Sequence, residues 1–290
     1  VRKSSNRQYL TDKRINFFDL DLSNQEQLTD ELSDLSRQYG NIDYVIHNAG
    51  ITKTTNNGYY ERVNYQYSVH LIDALKASSQ TVKKFTLTSS MAASAPGSYV
   101  TKKPIDISDG GEPVSAYGRS KKKIETYIEE NSPFPYVILR PPPVFGPRDH
   151  DMFTVFELIH KKFELYIGGK VQLLSFIYVK DLARGIVKST ISNIENKKYF
   201  LSDNQLYDNV LFNNKIKNYL KTKTLKVKLP LSIVYVVAFF SEMYSKVTGN
   251  FSQLNLEKMN EIKCLNWTCD SSSFYEDMAI EPQYNLDMGI

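Results

Sequence analysis

The stretch Tyr117-Gly-Arg-Ser-Lys121 sets a phenol and an ammonium four residues apart, which makes them neighbours on one face of a helix. A cation beside a phenol favours the phenolate and lowers its pKa towards neutrality, as a proton donor and acceptor for a carbonyl requires. The pattern alone is weak, because with 20 Tyr in the chain Tyr-x-x-x-Lys also begins at Tyr9, Tyr99, Tyr166 and Tyr219. Local context removes these four. Lys103 precedes Pro104, which disfavours helix; Gly168-Gly169 interrupts the pair from Tyr166; Thr222 and Thr224 flank the pair from Tyr219. Tyr9 has no serine-rich strand end upstream. Tyr117 alone starts a long periodic helix and comes after such a strand end, Thr88-Ser89-Ser90. Small hydroxyl residues at the carboxyl edge of a parallel strand lie where open α/β sheets bind ligands, so Ser90 is placed to hydrogen-bond a substrate oxygen beside Tyr117. Taken singly, each Ser reads equally well as a turn residue bonding its own backbone. Taken with Tyr117 and Lys121, the turn reading loses its force.

The elements that must position these groups are legible as alternating helix-period and strand-like stretches. Ser23-Asn-Gln-Glu26 reads as a capping box, followed by Leu28, Leu32 and Leu35 on one helix face, with a close near Gly40. Asp43-Tyr-Val-Ile-His47 is a short apolar strand entering the turn Asn48-Ala49-Gly50. A second helix carries Val63, Leu71, Ala74 and Leu75 on one face, and the strand Lys84-Phe-Thr-Leu-Thr88 comes next. A helix from about Ser115 to Glu130 precedes the strand Tyr136-Val-Ile-Leu139, which Pro141-Pro142-Pro143 stops. Beyond it, Met152 to Leu165 reads as helix, Ser175 to Val179 as a strand feeding a helix near Asp181, and the rest as mostly helical with short strands. The alternation predicts an α/β fold: a doubly wound parallel sheet with helices on both faces and a smaller mixed α/β cap. The expected domains are residues 1–145, with a return segment at about 175–197, for the sheet, and residues 146–174 and 198–290 for the cap.

Composition narrows the function class. At 290 residues with 41% hydrophobic content the chain supports a full core, so neither disorder nor a metal or disulfide staple is expected. Net charge is only +4, with Lys and Arg interspersed among 32 acids, which does not suggest a nucleic-acid partner. No run reaches the ~18 apolar residues of a spanning helix. Cys264 and Cys269 stand without a second cysteine pair or a nearby His, so packed structural thiols beside Trp267 are expected and no metal site. The two cysteines also suggest a reducing, cytoplasmic compartment. His150 between Asp149 and Asp151 reads as part of a solvated loop. The 13 glycines fall below the roughly 7% of average usage.

In order, Phe18-Asp-Leu20, His47-Asn-Ala-Gly50, Val63-Asn64, Thr88-Ser-Ser90, Pro113-Val-Ser-Ala-Tyr-Gly-Arg-Ser-Lys121, Leu139-Arg140, Val144-Phe-Gly-Pro147 and Tyr178-Val-Lys-Asp181 resemble the extended short-chain dehydrogenase/reductases. This is the NAD(P)-dependent epimerase/dehydratase group, which includes dihydroflavonol-reductase-like and 3β-hydroxysteroid-dehydrogenase-like enzymes. The resemblance implies a Rossmann-like fold, with Tyr117 as general acid/base, Lys121 orienting the nicotinamide ribose and Ser90 holding the substrate oxygen. By the same resemblance Asp19 and Leu20 contact adenine, Asn48, Ala49, Gly50 and Thr52 line the cofactor groove, and Asn64 supports the ribose or phosphates. Pro141, Pro142, Pro143 and Val144 then lie against the nicotinamide. Family members often form homodimers through helices like those near residues 58–77 and 115–130, so a homodimer is a further expectation.

The chain departs from the family at its start. Members open with a strand, a glycine-rich phosphate loop and a helix whose N-terminus holds the pyrophosphate. Here the first residue is Val1, the first Met is Met91, and Val1 to Asn6 resembles the segment after the family's second strand. Roughly 30 residues, about one βαβ unit, are therefore expected to be missing, together with the sheet's first strand and helix. The sequence reads as a fragment of a complete enzyme, binding cofactor poorly, with sheet edges and apolar helix faces exposed. Arg2-Lys3-Ser4-Ser5-Asn6-Arg7 holds cations and no acid where an acid would select NAD and an Arg NADP, which points to NADP with NAD as the alternative.

The expected chemistry is hydride transfer between nicotinamide and a carbonyl or secondary alcohol of a small molecule, either a nucleotide-sugar or an apolar carbonyl compound. A nucleotide-sugar 4-epimerase is the near alternative, and a non-catalytic dinucleotide sensor or scaffold the distant one. Ser90 leads into Met91-Ala-Ala93, which has no proton-transferring group, so dehydration is not expected. The most apolar segment, Ile233 to Phe240, reads first as a buried cap helix. Its alternatives are a wall for an apolar substrate or a contact with a membrane surface, next to Lys221, Lys223, Lys226 and Lys228.

Overall fold

A computed structural model describes residues 6–54, 56–248 and 254–290. Arg2, the residue on which the NADP reading turns, lies outside them. The first half runs α1 (Gln25–Tyr39), β1 (Tyr44–His47), α2 (Gly58–Tyr60), a π turn (Glu61–Gln66), α3 (Tyr67–Ala77), β2 (Lys84–Thr88), a 3-10 turn (Met91–Ala93), α4 (Ala116–Asn131) and β3 (Tyr136–Arg140). It continues with β4 (Val144–Phe145), α5 (Phe153–His160), β5 (Phe163–Ile167), β6 (Leu173–Leu174), β7 (Ile177–Tyr178), α6 (Val179–Ile191) and β8 (Lys197–Phe200). Last come β9 (Tyr207–Asp208), α7 (Asn209–Leu220), β10 (Leu225–Leu229), α8 (Leu231–Thr248), α9 (Leu256–Ile262), β11 (Asn266–Trp267), α10 (Ser272–Met278) and α11 (Leu286–Gly289).

The main sheet is wholly parallel, in the order β1-β2-β3-β8. Strand periodicity divides its side chains between two cores. Phe85, Leu87 and Ile138 face α1, α3 and α4 through Leu28, Leu32, Ile72, Leu75, Ile124 and Ile128. Val137 and Leu139, the alternate residues of β3, face α6 and α10 through Leu182, Ile186, Phe274 and Met278. This is the doubly wound arrangement expected from the alternation. Smaller sheets lie outside the main one: β5 pairs with β10 in parallel, and β6 lies between parallel β11 and antiparallel β9.

Among the described residues β1 pairs only with β2, so β1 is an open edge, and its Tyr44 and Ile46 are exposed. Exposed apolar side chains on an unpaired strand match the edge expected from the sequence.

Several local readings are corrected. The N-cap of α1 is Asn24, whose side chain accepts from the Gln27 amide, while Ser23 hydrogen-bonds Asp21 instead. The helix expected from Met152 to Leu165 stops at His160, because Lys162 turns to φ +66° and Phe163–Ile167 pairs with β10 as a strand. The apolar run Ile233 to Phe240 is helical but mostly exposed, since only Val234 and Ala238 of it are buried. Two of the rejected pairs are not carried on one helix: Tyr166 lies in β5, and α7, which holds Tyr219, ends at Leu220, before Lys223.

One close approach sets the position of α4. A Cβ on Gly118 would lie 2.1 Å from the Ala92 carbonyl oxygen, so only glycine lets the first turn of α4 pack against the 3-10 turn after Ser90. Replacing Gly118 with Ala is therefore expected to destabilise the fold by roughly 1–3 kcal/mol through overpacking, read as a lower denaturant midpoint. An unchanged midpoint would show that α4 does not rest on this contact.

Candidate active site

The site lies at the carboxyl ends of β1, β2 and β3, where open α/β sheets bind ligands. Ser115 caps α4, its hydroxyl accepting from the Gly118 amide at 3.0 Å, and Glu257 from α9 accepts from the Ala116 amide. These two caps hold the start of the helix and thereby the phenol of Tyr117. The Ser90 hydroxyl lies close enough to the Tyr117 phenol to favour its ionised form. Ser90 is fixed in turn by accepting from the Ala92 amide at 3.2 Å. One helical turn on, the Lys121 ammonium donates to the Thr88 carbonyl at 3.0 Å. The three groups singled out from sequence thus meet.

Gly50 lets the loop after β1 close over them. A Cβ there would lie 2.9 Å from Asn64 Oδ1 and 3.4 Å from Lys121 Nζ. Asn64 sits in the π turn, a conformation that often marks functional sites. Its amide accepts from the Ile51 N–H at 2.8 Å and donates to the Ile51 carbonyl at 3.0 Å and to Ser120 at 3.1 Å. Asn64 therefore clamps the loop after Gly50 to α4. Thr52 is exposed, and its carbonyl accepts from the Tyr60 hydroxyl at 3.2 Å, which holds Tyr60 near Tyr117, the rings tilted and their centroids 5.8 Å apart.

Behind α4 lies a charged network that sequence reasoning passed over. Arg140, at the end of β3, donates through Nε and Nη2 to Glu125, and through Nη1 to Ser94 at 2.8 Å. Ser89 donates to the same Glu125 carboxylate. Both ionic side chains are buried, at 7% and 1% exposure, so each is paired out of reach of water. Helical spacing holds the clue to half of this: Tyr117, Lys121 and Glu125 succeed one another at four-residue intervals.

Burial dominates the titration of the site. It pushes the Tyr117 phenol up to about 12, against the lowering effect of Ser90 and with a further rise from Glu261 and Tyr60. The expected depression by Lys121 is not seen: Lys121 is not among the groups that shift Tyr117, and its ammonium is turned to the Thr88 carbonyl. Burial brings the Lys121 ammonium down to about 8, opposed by Glu125.

The residues fit the nicotinamide-ribose end of a dinucleotide. The bare backbone of Gly50 meets the Lys121 ammonium, and the buried Thr88 hydroxyl has no hydrogen-bond partner. The pyrophosphate end has no such cradle among the described residues, since no glycine-rich turn leads into a helix beside β1. Asn48 and Ala49 are exposed at that end. Asp19 is engaged by Arg7 at 2.8 Å, and Leu20 packs partly into the α1–α3 core. Pro141 and Pro142 are buried, with the Pro141 carbonyl accepting from the Met91 amide; Pro143 is exposed and Val144 pairs with Ile177 in β4–β7. A cavity of about 360 Å³ opens near the site between Thr54, Asn57, Tyr235, Leu256 and Glu257.

The sequence model of the NAD-dependent epimerase/dehydratase family matches residues 1–200. A curated ceramide reductase of Caulobacter vibrioides is 22% identical over 245 residues, 83% of this chain and 70% of the relative. The solved UDP-glucose 4-epimerase of Thermotoga maritima with UDP-glucose superposes with a TM-score of 0.75 at 16% identity, covering 99% of this chain and 85% of that one. The UDP-glucuronic acid 4-epimerase of Bacillus cereus with NAD gives 0.72 at 19% identity, over 97% and 79%. RMD of Pseudomonas aeruginosa with NADPH gives 0.71 at 14%, over 94% and 84%. At these identities the structural likeness establishes a shared fold.

Lys121 is buried at a cost to stability, and the sign of that cost can be measured. Between pH 8 and 10.5 the folded chain has lost a proton that the unfolded chain still binds, so stability rises with pH across this window. Lys121→Met is expected to remove that rise and leave the fold at neutral pH no less stable, while turnover falls. A parallel pH slope in wild type and variant would show that Lys121 is not the titrating group.

Proposed function

The chain belongs to the NAD-dependent epimerase/dehydratase family, and from that premise we propose that Ser90, Tyr117 and Lys121 interconvert a carbonyl and a secondary alcohol with NAD(P). The observation that carries the reading is the placement of Tyr117 and Lys121 one helical turn apart on α4, with the Lys121 ammonium on the Thr88 carbonyl at the end of β2 and Ser90 just beyond it. Bound NAD(P) supplies or accepts the hydride at the substrate carbon. The chain's residues do the rest. Ser90 holds the substrate oxygen, and Tyr117 exchanges the proton with that oxygen. Burial holds the Tyr117 pKa above its ordinary value, so Tyr117 carries its proton at neutral pH and can give it to the oxygen formed on reduction. Lys121, mostly charged at neutral pH, holds the nicotinamide ribose, and only a turn of its ammonium from the Thr88 carbonyl towards Tyr117 would let it favour the phenolate left after proton transfer.

The turn Met91–Ala93, directly after Ser90, buries Met91 and Ala93 and offers no acid or base, so water elimination has no catalyst there. We read the cofactor as NADP, with NAD as the alternative, because Arg2, Lys3 and Arg7 precede the first acid, Asp12. Residues 1–145 with 175–197 form the cofactor part of this reading, and the cap selects the substrate. The substrate is an apolar carbonyl compound, a class in keeping with the reductase relative of Caulobacter vibrioides. A nucleotide-sugar 4-epimerase remains the second reading, supported by the solved epimerases that share the fold. Two free cysteines fit a cytoplasmic setting, and the groove between Glu61, Tyr65, Arg119, Lys123 and Tyr127 suits a homodimer contact.

Tyr117→Phe is expected to lower kcat by 10²–10⁴-fold, the usual range for losing a general acid/base, with cofactor binding and stability unchanged and KM lower for NADPH than for NADH. Stoichiometric oxidation of NADPH identifies the reductase; turnover without net change in the cofactor identifies the epimerase. Full activity of Tyr117→Phe would remove Tyr117 from the chemistry.

A further inference from the structure

Helix α8 is built the wrong way round for a helix packed on a water-soluble core. Its buried residues are Val234, Ala238 and Ser245, which lie over α9 and the β5–β10 ribbon with Met259, Ile167 and Leu229. Ile233, Val236, Val237, Phe240, Met243, Tyr244 and Val247 recur at i, i+3, i+4, i+7, i+10, i+11 and i+14, one continuous face. All seven are exposed, between 49% and 85%. The charged residues Glu242 and Lys246 fall off this stripe and pair with each other at 2.7 Å. A face of this size, left in water on a protein surface, marks a binding surface.

The charge next to it is of one sign. From Asn209 to Ser241 there are six Lys and no Asp or Glu. Lys215 and Lys217 are paired with Asp287 and Glu164. Lys221, Lys223, Lys226 and Lys228 are exposed, on the turn and strand that lead through Pro230 directly into α8. A second copy docking through the same segment would bring no Asp or Glu between Asn209 and Ser241 to pair with these four lysines, which counts against that occupant. A surface of anionic headgroups over an acyl layer matches both the stripe and the lysines. The helix has 18 residues, about 27 Å of length, and among the described residues no helix is long and apolar enough to cross a membrane. The geometry therefore suits lying along a surface.

We propose that α8 docks in the interface of an anionic lipid bilayer, its apolar stripe towards the acyl chains and Lys221, Lys223, Lys226 and Lys228 against the lipid phosphates. The docking stands independently of the reaction proposed above. Tyr235 and Glu242, on the side of α8 away from the stripe, line the cavity that Glu257 shares with the head of α4, so the docked helix would separate that cavity from the lipid.

The test is co-sedimentation of the 290-residue chain with phosphatidylcholine vesicles, with and without phosphatidylglycerol. Binding is expected to the anionic vesicles and to weaken with salt. Each lysine near such a surface contributes about fivefold to partitioning, so Lys226→Gln/Lys228→Gln should lower it about 25-fold. Val236→Ser/Phe240→Ser should lower it at least roughly tenfold by removing buried apolar area, with circular dichroism unchanged. Phe240→Trp should be quenched by brominated acyl chains, against a single native Trp267 that is buried. Absence of binding to anionic vesicles, or binding that neither double variant weakens, overturns the proposal. So does a concentration-dependent dimer that Val236→Ser/Phe240→Ser converts to monomer while vesicles are ignored, which would assign the stripe to a second copy.

Discussion

The buried ion pair between Arg140 and Glu125 is the constraint on which the site depends. It joins the end of β3 to the middle of α4, and the same two side chains collect Ser89 from the end of β2 and Ser94 from the turn beyond it. Pairs buried this deeply gain little net stability over an apolar replacement, yet removing one partner costs about 3–5 kcal/mol because a charge is left dry. What the pair supplies is register. With Glu125 held against β3, Lys121 and Tyr117 fall one and two turns nearer the start of α4, opposite Thr88 and Ser90. A slip of α4 by one residue would rotate both away from the strand ends.

Two glycines complete this placement from the other side. Gly118 lets α4 touch the turn after Ser90, and Gly50 lets the loop after β1 reach the Lys121 ammonium and the Asn64 amide. Asn64, held in a π turn, converts the second contact into a clamp by using both ends of its amide on Ile51. The result is a preorganised pair of hydroxyls beside a desolvated ammonium. Preorganisation here has a thermodynamic cost, borne by Lys121 and visible in its lowered pKa. Stability spent at a reactive centre is a frequent trade in enzymes.

The legible part of the site is the part that a linear sequence encodes locally. The i, i+4 relation of Tyr117 and Lys121 is a property of any helix, and Ser90 closes a recognisable strand, so their meeting can be read directly. The same spacing reaches Glu125. Its partner cannot be read, because Arg140 lies 15 residues away on a strand whose neighbours are known only once the sheet is ordered. The doubly wound sheet is visible in the alternation of periods, whereas the π turn, which aims Asn64 at Ile51, leaves no mark in hydrophobic spacing. The strand Phe163–Ile167 reads as helix because its apolar residues extend those of α5, and its pairing with β10 is non-local. The segment Ile233 to Phe240 reads as buried because apolar content measures how much a helix could bury, not which face meets a partner.

A double-mutant cycle on Arg140 and Glu125 tests the central claim most directly. Arg140→Met and Glu125→Leu should each destabilise the fold by about 3–5 kcal/mol, while the double variant recovers most of that loss, giving a coupling above about 2 kcal/mol. Despite its recovered stability the double variant should turn over poorly, because α4 has lost the contact that sets its register. Additive losses, with a coupling below about 0.5 kcal/mol, or a double variant as active as wild type, would contradict the account.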